Sequence, residues 1–326
     1  MSERTIEELR NKLKDYGAQK IPFIFIIDFE MKKPFACRLD TAAQNNIYFE
    51  INGNSNYTKT KENKAIEVFN IFPLNKKVYT EAFNLVQGHI NKGDSYLVNL
   101  TFKSRLETNL SLMELFHVSH AQYKLFFRND FIVFSPECFI KINSNQIYSF
   151  PMKGTIDADI PEASEKILKN EKELYEHNTI VDLIRNDISM VASEVEVSRF
   201  RYLSTIYTNQ KKLLQVSSEI KGKLTSDWTN RIDDILFKIL PAGSISGAPK
   251  RKTVEIIKKA EKEERGYFTG IFGIFDGKDL DCAVNIRYIE KTNNDLYFRS
   301  GGGITALSDL DSEYEEMINK IYVPIA

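Results

Sequence analysis

Cysteine is scarce in this chain: three in 326 residues, at positions 37, 138 and 282. An odd and scattered set offers neither a disulfide framework nor a thiolate metal site. Cys37, Cys138 and Cys282 therefore read as reduced core residues. There are four histidines (His89, His117, His120, His177) without ligand spacing, which speaks against a zinc centre or a Ser-His-Asp hydrolase. Charge of one sign is also lacking. Lys and Arg number 44 against 45 Asp and Glu, leaving a net charge of −1, so the basic face that a duplex binder uses to displace counterions is missing. No stretch approaches the ~20 apolar residues of a membrane helix. The first 17 residues alternate charge at helical spacing and have no apolar signal segment. Nucleic-acid and membrane partners are not expected, and the expected address is cytoplasmic. What is present, 42% hydrophobic and 27% charged residues, is the balance of a folded protein with a substantial core.

Apolar spacings of three and four predict helices over 3–16, 78–91, 111–121, 161–192, 227–240, 249–264 and 309–320. Strand-like runs occupy 21–28, 46–51, 96–102, 123–127, 131–134, 267–275, 281–290 and 295–300. Several strands follow one another directly, which implies antiparallel pairing and the α+β class. A Rossmann or TIM architecture needs a helix after nearly every strand, and that rhythm is missing. The polar stretch 52–63 is the best loop candidate. No linker divides the chain, so one domain over 1–326 is expected, with 1–75 as a lead-in.

Four places depart from ordinary packing. Glu173 and Glu176 are three apart on a predicted helix and share a face. Glu313 and Glu316 repeat that spacing near the C-terminus, with Ser308 or Ser312 as a candidate N-cap. Either pair alone is ordinarily a solvated acidic face; if the helices met, four carboxylates would suit a hard cation such as Mg²⁺. Small residues at 240–250, ahead of Pro249 at the expected first turn of a helix, leave backbone N–H groups for an anion, and the glycines at 301–303 allow close approach. Tight turns explain each loop equally well. Lys153, in PMKGT (151–155), is by default a surface lysine, and a nucleophile only if desolvated in a cleft.

Taken in order, SPECF (135–139), PMKGT (151–155), EHNTIVDLIRND (176–187), PAGSISGAPK (241–250), FTGIFG (268–273), NIR (285–287), SGGG (300–303) and SEYEEMINK (312–320) resemble the chorismate-utilising enzymes. These include anthranilate, aminodeoxychorismate, isochorismate and salicylate synthases. The motifs cover about 80–326. The resemblance implies an α+β fold of two packed antiparallel sheets flanked by helices. It implies Mg²⁺ held directly by Glu176 and Glu316, and through water by Glu173 and Glu313. It places Arg287, Lys320 and the glycines Gly301, Gly302 and Gly303 around the enolpyruvyl carboxylate, and Gly154, Thr155 and Ser244 around the ring.

Within this family, lysine rather than alanine at position 153 resembles the aminodeoxychorismate synthases. There Lys153 would attack C2 of chorismate while Glu137 protonates the departing C4 hydroxyl, and ammonia would then add at C4. Leu97 stands where isochorismate and salicylate synthases carry a basic lysine, which disfavours water attack at C2. Gln215 stands where many members have histidine, and an amide cannot transfer a proton at neutral pH; anthranilate formation is disfavoured accordingly. Phe268, at a tyrosine or tryptophan position, packs without donating a hydrogen bond. With no Cys-His-Glu triad identifiable, ammonia is expected from a separate glutamine amidotransferase subunit or from solution.

Overall fold

The computed structural model describes residues 2–59, 65–207 and 212–325. Its architecture follows from strands that are apolar on both faces. In Phe23–Ile27 every residue is buried. Ile24 and Ile26 face the core between two sheets, while Phe23, Phe25 and Ile27 face helices. Each such side chain is worth about 1.5–3 kcal/mol when fully buried, so the segment is clamped from both sides.

Among the described residues both sheets are nine-stranded and antiparallel, as the strand succession implied. The first runs Met152–Asp157, Lys212–Lys223, Gln146–Ser149, Cys138–Asn143, Leu280–Val284, Ile271–Phe275, Phe23–Ile27, Phe35–Arg38, with Ser193–Tyr207 also paired to Lys212–Lys223. The second runs Gly247–Ala248, Leu97–Thr108, Asp295–Ile304, Tyr288–Thr292, Phe131–Ser135, Tyr123–Phe127, Ile47–Ile51, Asn54–Ser55, with Phe69–Phe72 added to Leu97–Thr108. Phe49, Leu125, Phe127, Phe131 and Val133 of the second sheet meet Ile24, Ile26, Phe272 and Ile274 of the first. The helices Ser2–Ala18, Glu171–Ser189 and Ile232–Ile239 share a core with the first sheet, while Lys76–Asn91 and Lys250–Glu261 pack on the strand Leu97–Thr108 of the second. All three cysteines are buried and free. No helix among the described residues is long and apolar enough to cross a membrane.

The structure differs from the pattern-based expectations at several points. The helix expected over 161–192 is two, Ala163–Lys169 and Glu171–Ser189, because Asn170 is extended and its side chain caps the second through the Glu173 N–H. The N-cap of the last helix, Leu310–Asn319, is Asp309 rather than Ser308 or Ser312. Pro249 precedes its helix, as the N-cap residue of Lys250–Glu261. The loop before it is not an open nest: Gly247 and Ala248 pair with Val98 and Leu97. The three glycines lie inside the strand Asp295–Ile304, not after it. The long hairpin Ser193–Tyr207/Lys212–Lys223 has no counterpart among the expected strands; none of the described side chains of its first strand is fully buried, so no clean burial alternation marks it. Part of the loop candidate 52–63 lies outside the described residues.

One difference creates the site. The expected strand 281–290 is two strands in different sheets, with residues 285–287 crossing between them and Arg287 left-handed at φ 52°. The chain crosses in the same way at 136–137, between Phe131–Ser135 and Cys138–Asn143. The crossings are tied together: the Val284 N–H donates to the Glu137 carbonyl at 3.1 Å, and the Phe134 N–H donates to the Arg287 carbonyl at 3.0 Å. Glu137 and Arg287 are thereby brought beside each other.

Candidate active site

A cleft of about 770 Å³ opens at these crossings, within the usual range for small-molecule sites. Lys153, Gly154, Thr155, Glu137, Ser244, Phe268, Arg287, Gly301, Lys320, Glu173, Glu176 and Glu316 all line it. Gly302, Gly303 and Glu313 lie just behind its wall.

Lys153 reaches the cleft because the pairing of Met152–Asp157 with Lys212–Lys223 slips between Met152 and Thr155, with Gly154 at φ 80°. Its side chain is 19% exposed, and its Nζ stands 3.5 Å from Glu176 Oε2. Glu137 follows Pro136 at the crossing, and the Ser244 hydroxyl donates to its carboxylate. Burial pushes the Glu137 carboxyl above its ordinary range; the Ser244 hydrogen bond and the charges of Lys153 and Lys320 oppose this without cancelling it. The site thus sets an amine and a carboxyl of raised pKa in one cleft, and a raised pKa favours proton donation to a leaving group.

At the other end, the Arg287 guanidinium donates to the Lys320 carbonyl at 2.5 Å and lies over the Tyr322 ring at 4.5 Å. Lys320 Nζ donates to the Gly301 carbonyl at 2.9 Å and pairs with Glu316 at 2.6 Å. Two cations at one end of a cleft suit an anionic substrate group. Phe268 is buried against Tyr288. Gln215 lies opposite Thr155 in register, and its amide donates to Met152 Sδ at 3.2 Å. Leu97 is buried, and its Cδ1 borders Gly303 together with the Lys153 Nζ.

The helices Glu171–Ser189 and Leu310–Asn319 deliver their carboxylates to adjacent glycines. A β-carbon at Gly302 would lie 3.2 Å from a Glu316 oxygen and 3.3 Å from a Glu313 oxygen; one at Gly303 would lie 3.4 Å from a Glu176 oxygen. Glu173 borders Gly154, 3.1 Å from the corresponding point. Ser308 holds Glu313 at 2.7 Å. Among the described residues, no three acidic, histidine or cysteine side chains are already gathered around one point. The donor set is nonetheless all carboxylate oxygen at glycines where any side chain would intrude, which fits a hard divalent cation such as Mg²⁺. Of the charged residues in 182–187, only Asp187 is buried; it pairs with Lys250 at 2.6 Å, while Asp182 and Arg185 form an exposed pair. Met152, Asn99, Thr101 and Tyr322 also belong to the site wall or its supports, and nothing in their spacing singles them out.

Comparison with known proteins shows the family and the fold. The chorismate binding enzyme family model matches residues 7–326. An uncharacterized PabA-like protein of Haemophilus influenzae is 50% identical over 325 residues, covering 100% of this chain and 99% of the relative. A putative aminodeoxychorismate synthase of Schizosaccharomyces pombe is 31% identical, over 91% of this chain but 44% of its own length. Aminodeoxychorismate synthase component 1 of Salmonella typhimurium is 32% identical over 74% of this chain and 56% of its own length. The chain therefore spans about half the length of these two named relatives. Among solved structures, an isochorismate synthase of Bacillus anthracis superposes with a TM-score of 0.70 at 21% identity, covering 97% of this chain and 86% of the other. Anthranilate synthase component I of Streptococcus pneumoniae superposes with a TM-score of 0.67 at 26% identity, over 79% and 59%.

Proposed function

The chain belongs to the chorismate-binding enzyme family, and from that premise we propose that it is an aminodeoxychorismate synthase component I, which converts chorismate and ammonia into 4-amino-4-deoxychorismate. The observation that carries this reading is Lys153: a largely buried amine in the same cleft as the Ser244-held carboxyl of Glu137. The relatives named aminodeoxychorismate synthase support it.

In this mechanism Arg287 and Lys320 hold a substrate carboxylate, and Phe268 closes the wall over the ring. Lys153 Nζ, in its neutral form, makes a bond to C2, both ring double bonds shift by one position, and the C4–O bond breaks as Glu137 supplies the proton that makes water of the leaving group. Ammonia then attacks C4, both double bonds shift back, and the C2–N bond to Lys153 breaks. The proton shed by the incoming nitrogen returns to Glu137, so the enzyme ends as it began. Mg²⁺, held by Glu173, Glu176, Glu313 and Glu316, would supply positive charge to a substrate carboxylate. Leu97 gives water no base at C2, which supports amination over the isochorismate reaction. Ammonia comes from a separate glutamine amidotransferase subunit, in keeping with relatives named as component 1, and the product serves p-aminobenzoate and folate synthesis in the cytoplasm.

The test is to incubate the purified chain with chorismate, Mg²⁺ and a high ammonium concentration, then add aminodeoxychorismate lyase. p-Aminobenzoate is expected, and it disappears on chelation. Fluorescent anthranilate in its place would overturn the assignment.

A further inference from the structure

Behind the cleft lies an ion pair that the chemistry above does not use. Arg265 and Glu261 are each 1% exposed at the side chain, and their charged atoms approach to 2.5 Å. A guanidinium has five N–H donors, and the partners of Arg265 engage all three of its nitrogens. Nε donates to Glu261 at 2.9 Å; Nη1 donates to the Ile245 carbonyl at 2.9 Å and the Thr269 hydroxyl at 3.3 Å. Nη2 donates to the Asn99 carbonyl at 2.7 Å and to Glu261. Glu261 in turn accepts from the Thr101 backbone N–H at 2.9 Å and its hydroxyl at 3.0 Å.

Asn99, Thr101, Ile245 and Thr269 all line the cleft, and they come from three separate stretches of chain. Ile245 directly follows Ser244, the residue that hydrogen-bonds Glu137. The Thr269 N–H donates to the Asn285 carbonyl at 2.8 Å, two residues before Arg287. Replacing a buried ion pair by apolar residues of similar volume is often neutral or stabilising, so such a pair is weak evidence for a stabilising role. Its geometric reach is the better account. We propose that Arg265 and Glu261 are positioning residues: together they hold the helical turn Gly243–Ser246 against the strand Leu97–Thr108, and so aim the Ser244 hydroxyl at Glu137.

This inference rests on the reading of Glu137 as proton donor, and its test separates the two. The variants are Arg265→Lys, which keeps the charge but loses the five-donor fork, Ser244→Ala, and the double variant. If Arg265 acts through Ser244, the effects are not additive. Arg265→Lys alone lowers turnover about 100-fold, the scale of an ångström-sized misplacement, but lowers it less than about threefold in the Ser244→Ala background. The second readout needs no turnover: the carbon-13 titration of the Glu137 carboxyl. Arg265→Lys and Ser244→Ala each move that titration upward, and the double variant moves it no further. Additive losses, or an unmoved Glu137 titration in folded Arg265→Lys, overturn the proposal. Glu261→Gln replaces Arg265→Lys in the same cycle should the latter fail to fold. If the wild-type chain makes a different product, the amination reading fails while the titration still decides this one.

Discussion

At the scale of single residues, the site works by giving chemically ordinary groups unusual neighbours. Lys153 is one lysine among many, but it projects into a cleft beside Glu176. Lys153→Ala is expected to reduce aminodeoxychorismate formation by at least about 10³-fold, in line with removal of a covalent nucleophile. Chorismate binding, followed by calorimetry, should persist. In the proposed mechanism Glu137 acts as an acid; burial raises its pKa while the Ser244 hydrogen bond opposes that rise. Removing the opposing hydrogen bond raises it further. Ser244→Ala should therefore lower the rate while moving the descending, high-pH limb of the kcat/KM profile to higher pH; a limb moving to lower pH would contradict the assignment. Gly302→Ala would place a methyl group within 3.3 Å of both Glu313 and Glu316. We expect this variant to need a higher Mg²⁺ concentration for half-maximal activity, with its thermal unfolding nearly unchanged.

At the scale of elements, the helix Glu171–Ser189 carries both the site and part of the core. Its Glu173 and Glu176 face the cleft, while Ile180, Val181, Ile184 and Ile188 are buried. Between them, His177 is 1% exposed and bonds the Ser218 hydroxyl at 2.7 Å. Burial, then the nearby charges of Arg201 and Lys153, lower its pKa to about 4. The folded protein thus resists a proton that the unfolded chain accepts near its ordinary value of about 6.5. The stability from neutral His177 is present above that value and is lost as pH falls toward about 4, amounting to roughly 3 kcal/mol. Urea denaturation at pH 7.5 and pH 4.5 should show this loss, and His177→Gln should diminish it. The helix was legible in its apolar spacing. Its start was not, because Asn170 capping is a matter of one backbone angle within a continuous helical pattern.

At the scale of the whole molecule, the cleft is assembled from both sheets and from two helices distant in sequence. A ligand that bridges them binds only the folded chain and stabilises it by mass action, about 2.7 kcal/mol at 100 times its Kd. Chorismate should therefore raise the thermal midpoint, and more so with Mg²⁺ present than with chelator. An equal shift in both conditions would detach the metal from substrate binding.

The α+β class was legible in the sequence, because several strands follow one another directly and so pair antiparallel. The sequence also pointed to the residues that the fold gathers: those named for the cleft line it or stand directly behind it. What it could not express is where the chain changes sheets. The crossings at 136–137 and 285–287 lie inside runs that read as loop or continuous strand, and only the packing of one sheet on the other breaks them there. The Arg265–Glu261 pair was equally hidden: Glu261 closes the helix Lys250–Glu261 and Arg265 lies in the connection after it, where charges are ordinarily solvated. Their burial follows from long-range packing against Asn99, Thr101 and Ile245, and local periodicity carries no record of it.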